Sequence, residues 1–294
     1  NGGIGTYVKS SKESHADVGD KANDLLRVDG RELRAKVVGE GGNLGMTQLG
    51  RVEFGLNGGA TNTDFIDNAG GVDCSDHEVN IKILLGEIVA AGDMTGKQRN
   101  KLLVEMTDAV GGLVLGNNYK QTQALSLAER RARERVGEYK RLMAALESAG
   151  KLDRALEFLP TDDELNERAN NGLGLTRPEL SVLISYSKID LKESLLKSRV
   201  PDDEYLAREM ETAFPPLLAQ KFGEPMRRHR LKREIVSTQI ANDLVNHMGI
   251  TFVQRLKEST GMSAANVAGA YVIVRDVFRL PHWWQQIEAL DYKV

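Results

Sequence analysis

The chain has 294 residues, 41% of them hydrophobic and 28% charged, with a formal net charge of −3. That length suits two domains, and the near balance of charge excludes an electrostatically driven nucleic-acid binder or a membrane-surface protein. No apolar run approaches the roughly 18 residues of a membrane helix, there is no signal-peptide pattern, and the single cysteine, Cys74, excludes an intramolecular disulfide and fits a reducing compartment.

The sequence starts without Met, on Asn1-Gly-Gly-Ile-Gly-Thr6, which reads as a glycine turn leaving a strand. It is therefore expected to be a fragment. Residues 35–38 and 63–66 are short apolar runs that predict strands covered on both faces. Between them Leu49, Val52 and Leu56 recur at i, i+3 and i+7, predicting a short helix stopped by Asn57-Gly-Gly59. Strand, helix and strand within about 30 residues make a βαβ unit, hence a parallel sheet. Beyond Gly71, a helix opened by Ser75 is expected, with Glu78 completing a capping box. Ile81, Leu84, Leu85 and Ile88 form its apolar stripe, and Gly92 ends it.

From residue 94 onward no strand pattern is found. Ala128, Ala132, Val136, Tyr139, Met143 and Leu146 predict one long helix over residues 122–149, with Gly150 just past its end. Thr176-Arg-Pro-Glu179 reads as a capping box with Pro in the first turn. Prolines divide the remainder into helices of ordinary length. The expected fold is α/β followed by all-α: residues 1–93 hold the parallel-sheet part and residues 94–294 a helical domain.

Chemistry-bearing candidates concentrate in the first part. In Asn68-Ala-Gly-Gly-Val-Asp-Cys-Ser75, glycines at 70 and 71 would let a ligand approach the backbone. The Asn68 amide offers both a donor and an acceptor, which suits a carboxamide or an amino-acid head group. Ser75 has two readings, a helix cap or a hydroxyl facing a ligand carboxylate at a helix N-terminus. Glu40-Gly-Gly-Asn43 has the same character, with Asn43 either a ligand contact or a turn former. The five histidines lack metal-ligand spacing, so no metal site is expected. His77 reads as a surface residue, Cys74 as a small buried one. The basic run Met226-Arg-Arg-His-Arg-Leu-Lys-Arg233 reads as a solvated helix face or subunit contact. Trp283-Trp284 reads as a plug for the helical core or an interface.

Glu40-Gly-Gly-Asn43 with Thr47, followed by Asp67-Asn-Ala-Gly-Gly-Val-Asp-Cys-Ser75, resembles the closing segments of the glutamate dehydrogenase coenzyme domain. Asn1-Gly-Gly-Ile-Gly-Thr-Tyr7, Ser14-His-Ala-Asp-Val-Gly-Asp20 and the block from Asn68 to Asn80 are similar to the large NAD-specific bacterial members. The resemblance covers most of the chain. It implies the C-terminal part of a Rossmann-like domain, NAD as cofactor, L-glutamate and 2-oxoglutarate as ligands, and a cytoplasmic homo-oligomer with no nucleic-acid or membrane partner. Asn43 and Asn68 would lie beside the nicotinamide ribose and the amino acid. The Gly70-Gly71-Val72 backbone and the Ser75 hydroxyl would receive the substrate's side-chain carboxylate, and Gly2 and Gly3 would border the coenzyme. The sequence departs from smaller relatives at Asp76, where an aromatic is usual, and at Gly42, where alanine is usual. The family's proton-transferring lysine and aspartate and its glycine-rich fingerprint belong upstream of residue 1, so no catalytic residue is assigned and the fragment alone is expected to be inactive. The alternatives are a dehydrogenase for another amino acid, or a helical assembly or regulatory module.

Overall fold

The structure, a computed structural model, describes residues 4–290. Helices dominate it, and the named strands form one small parallel sheet. β1 (Val8–Lys9) pairs with β2 (Val28–Asp29), Val8 opposite Val28 and Lys9 opposite Asp29. On its other side Val8 bridges Met46, again in parallel, and the Thr47 N–H donates to the Val8 carbonyl at 2.9 Å. A second parallel bridge joins Val37 to Ala60. There the Val38 N–H donates to the Ala60 carbonyl and the Ala60 N–H to the Lys36 carbonyl, both at 2.9 Å. The helix Gln48–Leu56 lies between these two bridging points, so the expected βαβ order is present in minimal form.

Its strands differ from expectation in place and extent. Residues 35–38 form a single bridge, and Val37 is 70% exposed rather than covered on both faces. Residues 63–66 are not a strand: Asp64–Asp67 is a helical turn that starts after Thr63 and ends at Asn68. A short apolar run cannot by itself separate a strand from a buried helical turn. Acids at both 64 and 67 favour a helix first turn, and the pairing with Val37 falls upstream, on Ala60.

Thr47 caps the Gln48–Leu56 helix by accepting from the Gly50 N–H. The helix lies so close to β1 that a Cβ on Gly50 would come within 2.9 Å of the Lys9 carbonyl carbon. Val8, Met46 and Phe54 form the small core here, with Tyr7, Leu33 and Val38 packed against it.

The helix expected to open at Ser75 opens at Ala69 and runs to Ala90. Neither Gly70 nor Gly71 takes a positive φ, and the Ser75–Glu78 capping box does not exist. Ile81, Leu84, Leu85 and Ile88 are buried as the stripe requires. The long helix over 122–149 is divided in two, Thr107–Arg130 and Val136–Ser148. The break falls where Gly174 packs on the chain, since a Cβ there would lie 2.5 Å from the Arg133 nitrogen. Gly92 and Gly150 take positive φ past helix ends, as expected. Of the Thr176 box the carboxylate half forms: Glu179, fully buried, accepts from the Thr176 N–H and hydroxyl at 2.7 Å and from Arg168 at 2.8 Å.

Packing groups the chain into two compact units. One comprises Asn1–Asn80, Thr107–Ser187 and Gly249–Thr251. The other comprises Ile81–Met106, Lys188–Met248 and Phe252–Val294. These units cut across the sequence boundary at 93/94. Among the described residues, no helix is long and apolar enough to cross a membrane.

Within the second unit, Ala264–Val277 and Lys232–Met248 enclose a buried polar cluster centred on Arg275, which bonds Glu209, Asp243 and Asp276. His247 bonds Asp243 at 3.0 Å and stacks on Trp284, while Trp283 is 54% exposed. In the basic run, Arg230 and Arg233 pair with Glu87 and Asp202, but His229 is buried edge-on to Phe214. That run is therefore only partly a solvated face.

Candidate functional site

The segments carrying the candidate residues meet in the first unit. Asn68 Nδ2 donates to Asn43 Oδ1. Asn43 sits on a loop whose residues 41–44 are all exposed, and Asn68 terminates the Asp64–Asp67 turn. Neither side chain makes another hydrogen bond among the described residues, which leaves the Asn43 Nδ2 donor and the Asn68 Oδ1 acceptor open.

Three carboxylates hold the loop from beneath. The Glu40 N–H donates to Asp67 Oδ2 at 3.0 Å, the Leu44 N–H to Asp64 Oδ2 at 2.8 Å, and the Met46 N–H to Glu40 Oε1 at 3.0 Å. Asp67 also accepts from Asn62 at 2.6 Å, and Asn62 accepts from Arg177 Nε at 2.6 Å. Arg177 reaches the Thr122 carbonyl and the Ser126 hydroxyl at 3.1 and 2.9 Å. The loop needs this support because Leu44 is held at φ 61°. That left-handed conformation costs a non-glycine residue roughly 1–2 kcal/mol.

Val72, Ser75 and Val79 follow one another at steps of three and four, so they line one face of the helix that starts just after Asn68. Val72 and Val79 are 66% and 52% exposed, and Ser75 is exposed with no hydrogen bond among the described residues. Ser75 is therefore not a cap; its hydroxyl is uncommitted, in the second turn. Gly70 and Gly71 occupy the first turn, where backbone N–H groups lack intrahelical carbonyl partners. The Gly71 N–H makes a long bond of 3.4 Å to the Asn68 carbonyl. A Cβ on Gly41, Gly42 or Gly71 would meet nothing within 4 Å, so a ligand could lie directly on these backbones. Gly2 and Gly3 lie outside the described residues.

Two residue expectations are overturned on the helix itself. His77 is buried, with Nε2 3.6 Å from Asp73 Oδ1 and 3.5 Å from Asn117 Nδ2. It stands four residues before Ile81, in line with the buried stripe, and extending that stripe backwards would have found it. Cys74 is exposed rather than a small core residue. No cluster of potential metal ligands occurs among the described residues. The network also contains a residue that pattern reading missed, Arg51, 3% exposed and bonded to Glu40 and Asp64.

Residues 1–128 match the family model for the bacterial NAD-glutamate dehydrogenase catalytic domain. Residues 172–294 match the model for the glutamate dehydrogenase C-terminal region. Over all 294 residues the sequence is 86% identical to an NAD-specific glutamate dehydrogenase of Pseudomonas aeruginosa. Proteins of the same name from Halomonas elongata and Mycobacterium tuberculosis are 62% and 44% identical over the same span. The chain belongs to the NAD-specific glutamate dehydrogenase family. It spans 18% of the length of each of these relatives. The loop bearing Asn43 and the helix bearing Ser75 both lie inside the stretch matched by the catalytic-domain model.

Proposed function

We propose that this chain forms one wall of the active site of an NAD-dependent glutamate dehydrogenase, which deaminates L-glutamate oxidatively to 2-oxoglutarate and ammonia. The observation that carries the reading is the juxtaposition of Asn43 and Asn68, from separate segments, within a chain 86% identical to such an enzyme. The open donor on Asn43 and the open acceptor on Asn68 match what a carboxamide requires, so the residues present fit NAD. Bound NAD supplies the acceptor for the hydride leaving the substrate α-carbon.

On this reading Asn43 and Asn68 orient the nicotinamide ribose and the amino acid, and Gly2 and Gly3 border the coenzyme. The Gly70-Gly71-Val72 first turn, exposed at Gly71 and Val72, and the uncommitted Ser75 hydroxyl receive the side-chain carboxylate, on the end of the helix where the dipole favours an anion. Holding the C–H in line with its acceptor is a large share of such catalysis. Residues 1–93 are the last part of a Rossmann-like coenzyme domain, which the parallel direction of every described strand pairing supports. Residues 94–294 are a helical domain of a cytoplasmic homo-oligomer. The groups that move protons stand elsewhere in the protein, so the 294-residue chain alone has no turnover.

The test is a panel of amino acids offered with NAD to the full-length protein and to its Asn68→Ala variant. Glutamate should be preferred, with kcat/KM at least tenfold lower in the variant, about the value of one lost positioning contact. Preference for an uncharged amino acid, or an unaffected variant, would refute the assignment.

A further inference from the structure

Arg51 lies in the middle of the Gln48–Leu56 helix with its guanidinium buried beneath the loop. Nε donates to Glu40 Oε2 at 2.5 Å, and Nη2 lies 3.0 Å from Glu40 Oε1 and 3.1 Å from Asp64 Oδ2. Nη1 donates to Gln48 Oε1 at 3.2 Å, and the same oxygen accepts from the Thr63 hydroxyl at 3.1 Å. Each carboxylate turns a further hydrogen bond toward the loop, Glu40 to the Met46 N–H and Asp64 to the Leu44 N–H. Asp64 also begins the turn that ends in Asn68. One guanidinium thus links the stem of the loop bearing Asn43 to the turn bearing Asn68.

Stability alone does not call for such an arrangement, because well-packed apolar side chains often replace a buried ion triad at no loss. A planar fork of donors provides something an apolar group cannot, namely a fixed spacing between two carboxylates. We propose that Arg51 is a positioning residue for the dehydrogenase reaction: through Glu40 and Asp64 it sets Asn43 against Asn68, without itself touching coenzyme or substrate. The proposal rests on the glutamate dehydrogenase reading of this site.

The experiment is a double-mutant cycle on the full-length protein with Arg51→Lys, Asn43→Ala and the two combined, reading kcat and the KM for NAD and glutamate. Lysine keeps the charge and loses the fork. Misplacement by about 1 Å can cost on the order of 100-fold, so each single variant should lose roughly 10- to 100-fold in kcat. In the double variant the losses should not multiply, kcat staying within about threefold of Asn43→Ala, because the effect of Arg51 passes through Asn43. Losses that multiply, a kcat of Arg51→Lys within about threefold of wild type, or an Asn43→Ala enzyme of unchanged kcat would each overturn the proposal. If Arg51→Lys does not fold, Asp64→Asn takes its place in the cycle with the same expected and refuting outcomes. Wild-type protein that fails to deaminate glutamate would sink the underlying reading instead, before any variant is made.

Discussion

Replacing Arg275 with methionine removes the cation shared by three carboxylates in the second unit. Arg275 Nη1 donates to Glu209 Oε2 at 2.9 Å and to Asp243 Oδ2 at 2.7 Å, and Nε donates to Asp276 Oδ1 at 3.0 Å. Glu209 is only 5% exposed, so without Arg275 its charge is stranded. Tyr271 and His247 still bond Asp243, and Tyr205 and Arg208 still bond Asp276, so Glu209 bears most of the loss. Breaking one side of a buried ion cluster costs about 3–5 kcal/mol. At 1.4 kcal/mol per tenfold, hydrogen exchange limited by opening of this unit should accelerate by about 100- to 3,000-fold. The assay is exchange mass spectrometry on the full-length protein at pH 7, following peptides from Lys232–Met248 and Ala264–Val277. Pairing the change with Glu209→Leu removes the stranded charge and should restore at least half of the lost protection on a logarithmic scale. Acceleration below about tenfold in the single variant, or no recovery in the pair, would refute the assignment of this cluster as a coupled buried network.

Acid should weaken the same cluster in a defined window. Burial alone would raise the Asp243 pKa, but the bond to His247 and the charge and bonds of Arg275 outweigh it and hold it at about 2. A folded-state value below the ordinary 3.8 means the stabilisation, about 2 kcal/mol, is complete above that pH and drains as pH falls toward 2. Exchange measured after brief acid pulses should therefore show Asp243→Asn less acid-sensitive than wild type. Burial pushes Tyr139 up to about 12, so its contribution is intact below pH 10 and is lost between 10 and 12; thermal melts at pH 9–12 should show Tyr139→Phe resisting that loss. Gly174→Ala would push a methyl against the Arg133 backbone and should destabilise by about 1–3 kcal/mol, read as faster exchange of Val136–Ser148 peptides. Ser75→Ala should leave melting unchanged, since Ser75 caps nothing and alanine favours helix; in the full-length protein, on the function proposed above, it should raise the KM for glutamate about tenfold or more through one lost bond to a carboxylate.

Elements whose signal is periodic were legible in advance. Ile81, Leu84, Leu85 and Ile88 are buried as spaced, and Glu179 reaches back to the Thr176 N–H as their identities imply. Boundaries set by contacts with distant chain were not. Nothing between Arg130 and Val136 is a helix breaker by type; the interruption is where Gly174 packs, some forty residues later in sequence. The start of the Ala69 helix was hidden for the opposite reason, because two glycines that suggest a turn are tolerated in a helix at about 1 kcal/mol each once tertiary packing outweighs their propensity. β1 and β2, two residues each, are too short to leave an alternating pattern, and their pairing depends on Val8 finding Val28 on one side and Met46 on the other.

The same division runs through the site. Asn43 and Asn68 are conspicuous because an amide beside glycines offers a donor and an acceptor where a ligand can approach the backbone, and each could be singled out alone. That they meet is a property of the fold. Arg51 had no such mark: with Leu49, Val52 and Leu56 taken as the inward stripe, an arginine between them belongs on the solvent side. The structure reverses that order, leaving Leu56 37% exposed and Arg51 3% exposed. The reversal is intelligible only from the partners, since an arginine stays buried when carboxylates meet it there, and Glu40 and Asp64 come from the two segments that carry the asparagines. A hydrophobic pattern records which face is apolar. It cannot record a buried charge whose reason for burial lies in two other loops, and that is where the geometry of this site is set.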